Sequence, residues 1–236
     1  MGLDIYVGSL TRYHAGDWET IVQRTARETG LRMQVIRANP DPPDKITDKA
    51  VINQAVRQWM QSLSAGLAQH TNTPLEWDER ADSPYFTDKP DWVGYAGVVL
   101  LGACHEHPAL PRPEKATSHW DRDPAWQAST VPGFRSRFGQ LLTPECWLPV
   151  AFPFTFKAVD VVGNEVTFGS STTLLQQLTT LNAETFQGTD DDLARWKYEG
   201  AGNQDSFEKS AEFGLAMFMH HARLSVQHRL PMKLDY

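Results

Sequence analysis

Four places in the chain hold residue types that do chemistry. The first is Cys104-His105-Glu106-His107, three kinds of metal-ligating side chain within four positions. On an extended backbone His105 and His107 would point to one side, whereas on a helix positions two apart diverge. The spacing is not that of H-E-x-x-H, which sets two imidazoles on one helical face. His105, Glu106 and His107 are the candidate metal ligands, and a third ligand to join the two imidazoles would come from elsewhere, His14, His119 or Asp121. A metal-assisted hydrolase is the chemistry they would serve. The plainer reading, which the sequence favours, has both imidazoles near the last carbonyls of a helix and Cys104 in the core. A helix C-terminus also opposes a Cys104 thiolate, and Cys146 has no better setting for a nucleophile.

The second place is Arg12-Tyr13-His14 with Asp17 and Trp18, just after a first strand, where α/β proteins gather their sites. Tyr13, His14 and Trp18 are candidate binding residues. The alternative is that Asp17 caps a helix and Trp18 packs. The third is His119-Trp-Asp-Arg-Asp-Pro-Ala-Trp126 in a long loop. Trp120, Asp121 and Trp126 would present aromatic faces and charge to a sugar or a protein; otherwise the two indoles pin the loop to the core. The fourth, His220-His221, sits in a helical pattern that turns the two rings apart, as suits ordinary half-buried histidines.

Other signals are missing. The chain has no G-x-x-x-x-G-K-[ST], no G-x-G-x-x-G, no G-x-S-x-G and no C-x-x-C. ATP, dinucleotide and serine-hydrolase chemistry lack their usual marks, and no cofactor is expected beyond an optional metal ion.

The elements that must position these residues follow from periodicity. Leu3–Leu10 reads as a strand and Tyr13–Gly16 as a turn. A helix capped by Asp17 runs to about Glu28 and stops at Gly30. Leu31–Ala38 alternates as a second strand, and this β-α-β order suggests a parallel pair. After the Asn39–Asp44 loop, Thr47 or Asp48 caps a helix to Leu67, with Ile52, Val56, Trp59 and Leu63 on one face. His70–Pro90 is irregular. Asp91 caps a helix to Glu106 that is apolar nearly all round and so central. Its Gly94, Gly97 and Gly102 cost helix propensity but admit a close neighbour. Pro108–Pro132 is a long loop. Phe152–Val162 and Glu165–Phe168 form a hairpin through Gly163-Asn164. Ser170 or Ser171 caps a helix to Leu181, another starts at Asp190–Asp192, and the last runs from Ser206 to Arg229.

The 236 residues suit one compact α/β domain, a small mixed sheet packed by several helices. With 41% hydrophobic residues and 8 tryptophans, the core needs neither disulfide nor metal to form. The net charge of −7, with no basic run, speaks against nucleic acid and anionic membranes and suits solubility or a basic partner. The longest apolar run, near Val98–Leu101, cannot span a bilayer. The N-terminus lacks the form of a signal peptide, Tyr6 is wrong for myristoylation, and two cysteines fit separate thiols in a reducing compartment. The expectation is a cytoplasmic protein.

Met1-Gly-Leu-Asp-Ile-Tyr-Val-Gly8, Asp91-Trp-Val-Gly-Tyr95 and Leu230-Pro-Met-Lys-Leu-Asp-Tyr236 resemble the corresponding segments of a bacterial family of unknown function. The resemblance spans most of the chain; it implies a bacterial source and transfers no activity. The acidic balance, the Trp-bearing loops and the missing catalytic motifs together favour a non-enzymatic binding module. Its partner would be a protein, as for the small acidic proteins of toxin–immunity systems, or a small molecule. The alternative is a small hydrolase, with or without a metal ion.

Overall fold

A computed structural model describes residues 2–32, 48–71, 74–80, 82–202 and 204–236. Along the chain run β1 (Asp4–Val7), α1 (Leu10–Ala15), α2 (Ile21–Glu28), α3 (Lys49–Leu67), β2 (Phe86–Asp88) and α4 (Asp91–Glu106). There follow a 3-10 turn (Trp120–Arg122), α5 (Pro124–Thr130), α6 (Gly139–Leu142), β3 (Cys146–Leu148), β4 (Phe156–Val159) and β5 (Glu165–Ser170). The chain closes with α7 (Ser171–Glu184), α8 (Asp190–Glu199), α9 (Phe207–His228) and β6 (Met232–Asp235). This is an α/β fold on one mixed sheet of order β2-β1-β6-β3-β5-β4, parallel between β3 and β5 and antiparallel elsewhere.

Strand alternation sends successive side chains to opposite faces, and the register turns this into two layers. Val7, Met232 and Trp147 stand in line across β1, β6 and β3 and pack with α4, α7 and α9. The neighbouring line crosses the whole sheet as Thr87, Tyr6, Lys233, Cys146, Phe168 and Phe156. On that second face the Cys146 end is covered by Ile52 and Val56 of α3 with Leu75 and Trp77. The Tyr6 end is left to α1, α2 and their connections. The edge strand β4 is guarded rather than open. Trp59 Nε1 of α3 donates to Val159 O (2.7 Å), and Lys157 is exposed.

The expected central helix is there. Every residue of α4 from Gly94 to Cys104 is buried. It crosses α9 at glycines, because a Cβ built on Gly97 would lie 2.5 Å from the Ser210 carbonyl carbon. The helices at 49–67, 171–184, 190–199 and 207–228 begin at side-chain caps from Asp48, Ser170, Thr189 and Ser206.

Several local expectations change. Leu10 does not end the first strand but opens α1, since Ser9 accepts from the Arg12 N–H and starts a helical turn. The next helix is capped by Thr20, in a reciprocal capping box with Gln23, and not by Asp17, which binds Lys49 instead (2.8 Å). Asp91 opens α4 at a φ of 55° without capping it. The 108–132 loop contains α5, started by Asp123 and Pro124. Most of the expected Leu31–Ala38 strand, and the Asn39–Asp44 loop, lie outside the described residues. Both edges of β1 carry antiparallel partners, β2 and β6. Among the described residues no helix is long and apolar enough to cross a membrane.

Candidate functional site

The Tyr6 end of the second sheet face carries a cluster of rings. Tyr6 projects from β1 between Thr87 of β2 and Lys233 of β6. Gly8 leaves room for it, since a Cβ there would run into the phenol, whose hydroxyl donates to Ser9 O (2.9 Å). Gly16, at a φ of 68°, ends α1 in a left-handed cap whose N–H bonds Arg12 O and Tyr13 O. That reversal swings Trp18 back under Tyr13. The two rings stack at 5.6 Å and 16°, and Trp18 Nε1 donates to Tyr13 O (3.3 Å). Tyr6 meets Tyr13 at 5.3 Å, Trp18 at 5.0 Å and Tyr85 at 6.4 Å between centroids. Tyr6 is buried, while Tyr13, Trp18 and Tyr85 are partly open to solvent.

Cations lie over these rings. The guanidinium carbons of Arg12 and Arg24 stand 5.0 and 5.4 Å from the centroid of Tyr85, and Lys233 Nζ is 5.3 Å from that of Tyr13. The base of the cluster is held by Glu79, only 5% exposed. Its carboxylate accepts from Leu10 N (2.9 Å), Thr11 N (2.8 Å) and Trp77 Nε1 (2.6 Å), and so satisfies the first turn of α1. Tyr13 Oη donates to Asp235 Oδ1 (2.5 Å).

The electrostatics make the phenols donors. Burial, joined at Tyr13 by the Asp235 carboxylate, raises the pKa of both Tyr6 and Tyr13 above the usual phenol value, so neither serves as a base near neutrality. Beside them, Asp4 has an Oδ1 buried without a partner. Burial pushes its carboxyl up to about 6, aided by Asp235, Asp91 and Asp88 and opposed by Lys89. Flat rings, fixed donors and cations in a half-open setting suit recognition; they present no activated nucleophile.

Of the residues singled out in the sequence, Tyr13, His14 and Trp18 meet in this cluster, His14 edge-on to Tyr13 at 5.1 Å. Trp120 and Trp126 lie on the other side of the sheet. Trp120 stacks on Trp92 (5.6 Å) and edges onto Tyr95 (5.0 Å), and Trp126 Nε1 donates to Leu142 O (3.4 Å). They pin their segment, and Asp121 is exposed beside them. His105, Glu106 and His107 go separate ways. His105 Nε2 is 2.8 Å from Glu184 Oε2, and the Glu106 carboxylate accepts from Ser136 Oγ (2.7 Å) and Arg137 N (2.5 Å). His107 lies against Phe134 at 5.0 Å. Among the described residues no group of three or more His, Cys, Asp or Glu is arranged to hold a metal ion. Burial raises the Cys104 and Cys146 thiols to about 11 and about 12, which keeps them protonated. His221 is buried with Nδ1 2.9 Å from Met217 O, and burial lowers its pKa so that it stays neutral.

Sequence reasoning missed Tyr6, Arg24, Glu79, Tyr85 and Lys233. Only Tyr6 carried a signal, because Leu3, Ile5 and Val7 alternate against Asp4 and Tyr6 and so put the phenol on the opposite face. The others come from segments up to 227 positions away in the chain.

No protein-family model matches the sequence, no curated protein is similar to it, and no solved structure is similar to its fold.

Proposed function

We propose that the protein is a non-enzymatic interaction module of the bacterial cytoplasm that holds a protein partner against the Tyr6–Tyr13–Trp18–Tyr85 face. One observation carries this reading: three partly exposed rings in mutual contact through Tyr6, with two guanidinium groups on Tyr85. Tyr, Trp and Arg are the side chains that dominate binding hot spots, since they give large contact area at small entropic cost. Here the rings are already held by stacking and by the hydrogen bonds of Tyr6 to Ser9 O, Tyr13 to Asp235 and Trp18 to Tyr13 O, so little further ordering is needed on association.

The test is affinity capture from cells of the source organism with the wild-type chain, Trp18→Ala and Tyr198→Ala, each checked for an unchanged melting temperature. Tyr198 is 88% exposed on α8, away from the cluster, and serves as the control. A specific partner retained by Tyr198→Ala and lost by Trp18→Ala is the expected outcome. A partner set identical for all three proteins, or no partner for the wild type, refutes the proposal.

A further inference from the structure

Asp4 stands where its charge is least welcome. The register of β1 and β6 sets it directly opposite Asp235. Side chains paired in this way share a sheet face about 5 Å apart, and like charges there destabilise the pair. Asp4 Oδ1 is buried with no hydrogen-bond partner among the described residues. The other charges that act on it come from β2 and the turn into α4: Lys89 favours its ionised form, and Asp88 and Asp91 oppose it. Lys197 of α8 is already paired with Asp88 (2.8 Å). Lys233, two positions before Asp235, carries its Nζ over the Tyr13 ring (5.3 Å). Burial, with the three neighbouring carboxylates outweighing Lys89, keeps the proton on Asp4 until the pH nears about 6.

Asp235 joins this group to the rings. Among the described residues its carboxylate takes one hydrogen bond, from Tyr13 Oη (2.5 Å), and Tyr13 stacks on Trp18. The ladder fixes both strands, Asp4 to Val7 against Asp235 to Met232, so a side chain yields to repulsion before a strand does. Asp235 is partly open to water and can turn outward to hydrate, but only by leaving Tyr13. We infer that Asp4 is a proton-operated latch for the Tyr13–Trp18 face: with Asp4 protonated, Asp235 holds Tyr13 against Trp18, and ionisation of Asp4 drives Asp235 outward and frees the ring. The inference rests on the interaction reading above and adds to it the regulation of that face by pH. A face ordered in the protonated state and loosened in the ionised one binds its partner more tightly on the acid side, because the ionised state must first be reordered.

The experiment is NMR of the isotope-labelled full chain, without partner, in the wild type, Asp4→Asn and Asp235→Asn at pH 5 and pH 7.5. The readout is the nuclear Overhauser effect between the Tyr13 and Trp18 rings, with the Trp18 indole N–H signal assigned through Trp18→Phe. In the wild type the ring-to-ring effect should fall by more than half from the lower to the higher pH, and the indole signal should move with a midpoint near 6. Asp4→Asn removes the switching charge at nearly constant shape, so the contact should stay at full strength at both values. Asp235→Asn keeps an acceptor for Tyr13 and removes the opposing charge, so it too should hold the contact at both. A wild-type ring contact equally strong at pH 5 and pH 7.5 overturns the inference. So does its loss with rising pH in either variant, because the titrating group is then another, such as His14 beside Tyr13. The outcomes separate the two proposals. A partner captured through Trp18 while the ring contact ignores pH sinks only this one. An Asp4-dependent loosening of the rings with no captured partner sinks only the interaction reading.

Discussion

Replacing Gly97 by alanine tests whether the contact between α4 and α9 is as close as the glycines imply. A Cβ at this position would sit 2.5, 2.6 and 2.7 Å from the carbonyl carbon and oxygen of Ser210 and the nitrogen of Ala211. Ordinary contact begins near 3.4 Å, and the atoms met are buried backbone in the opening turns of α9, so no rotamer change relieves the clash. The helices must separate by about an ångström along a seam that includes Gly94 and Gly214, where a Cβ on Gly214 would overlap the Gly94 carbonyl. Overpacking of this kind costs about 3 kcal/mol, and alanine returns about 1 kcal/mol of helix propensity. The net loss is about 2 kcal/mol, or a fall in Tm of about 4–8 °C for a chain of this size. Two further glycines calibrate the argument. At Gly102 the nearest atoms are side-chain carbons of Leu141 and Phe138 at 3.4 Å, so alanine should be close to neutral. At Gly66, inside α3, nothing lies within 4 Å, so alanine should stabilise by up to about 1 kcal/mol. Thermal and urea unfolding followed by circular dichroism, with the three variants side by side, gives the order Gly66→Ala, Gly102→Ala, Gly97→Ala. A Gly97→Ala protein as stable as the wild type refutes the reasoning.

Two other outcomes follow from the candidate site. Glu79→Gln turns one acceptor oxygen into an NH2 group facing backbone or indole N–H donors, and should cost about 2–4 kcal/mol in urea unfolding; an unchanged midpoint means that this carboxylate does not organise α1. Asp4→Asn should stabilise with a definite pH dependence. The folded carboxyl titrates near 6 against 3.8 in the unfolded chain, so the folded state loses stability as pH rises between these values. The asparagine variant should match the wild type below pH 3.8, gain as pH rises, and lead by about 1 kcal/mol above pH 6, the full shift being discounted for partial exposure. A constant difference across that range would contradict the burial of Asp4 Oδ1.

Local chemistry in the sequence determined a large part of this protein. Caps at or beside Asp48 and Ser170, the all-round apolar α4 and the extent of α9 were legible because helices are built from contacts three and four residues apart. The alternation of Leu3, Ile5 and Val7 likewise marks β1 and sets Tyr6 on the opposite sheet face. What tertiary structure decided is the company these elements keep. β3 and β6 are three and four residues long, and each is stabilised by backbone partners far along the chain, so neither carries a strong signal of its own. The sequence drew attention to His105, Glu106 and His107 because they are adjacent, yet the end of a helix sends adjacent side chains to different partners. Tyr6, Arg24, Tyr85 and Lys233 meet only because β2, β1 and β6 pair in one register and α2 returns over them. Spacing along a chain reports a shared helix face or strand face; it says nothing of which distant segments the sheet will bring side by side.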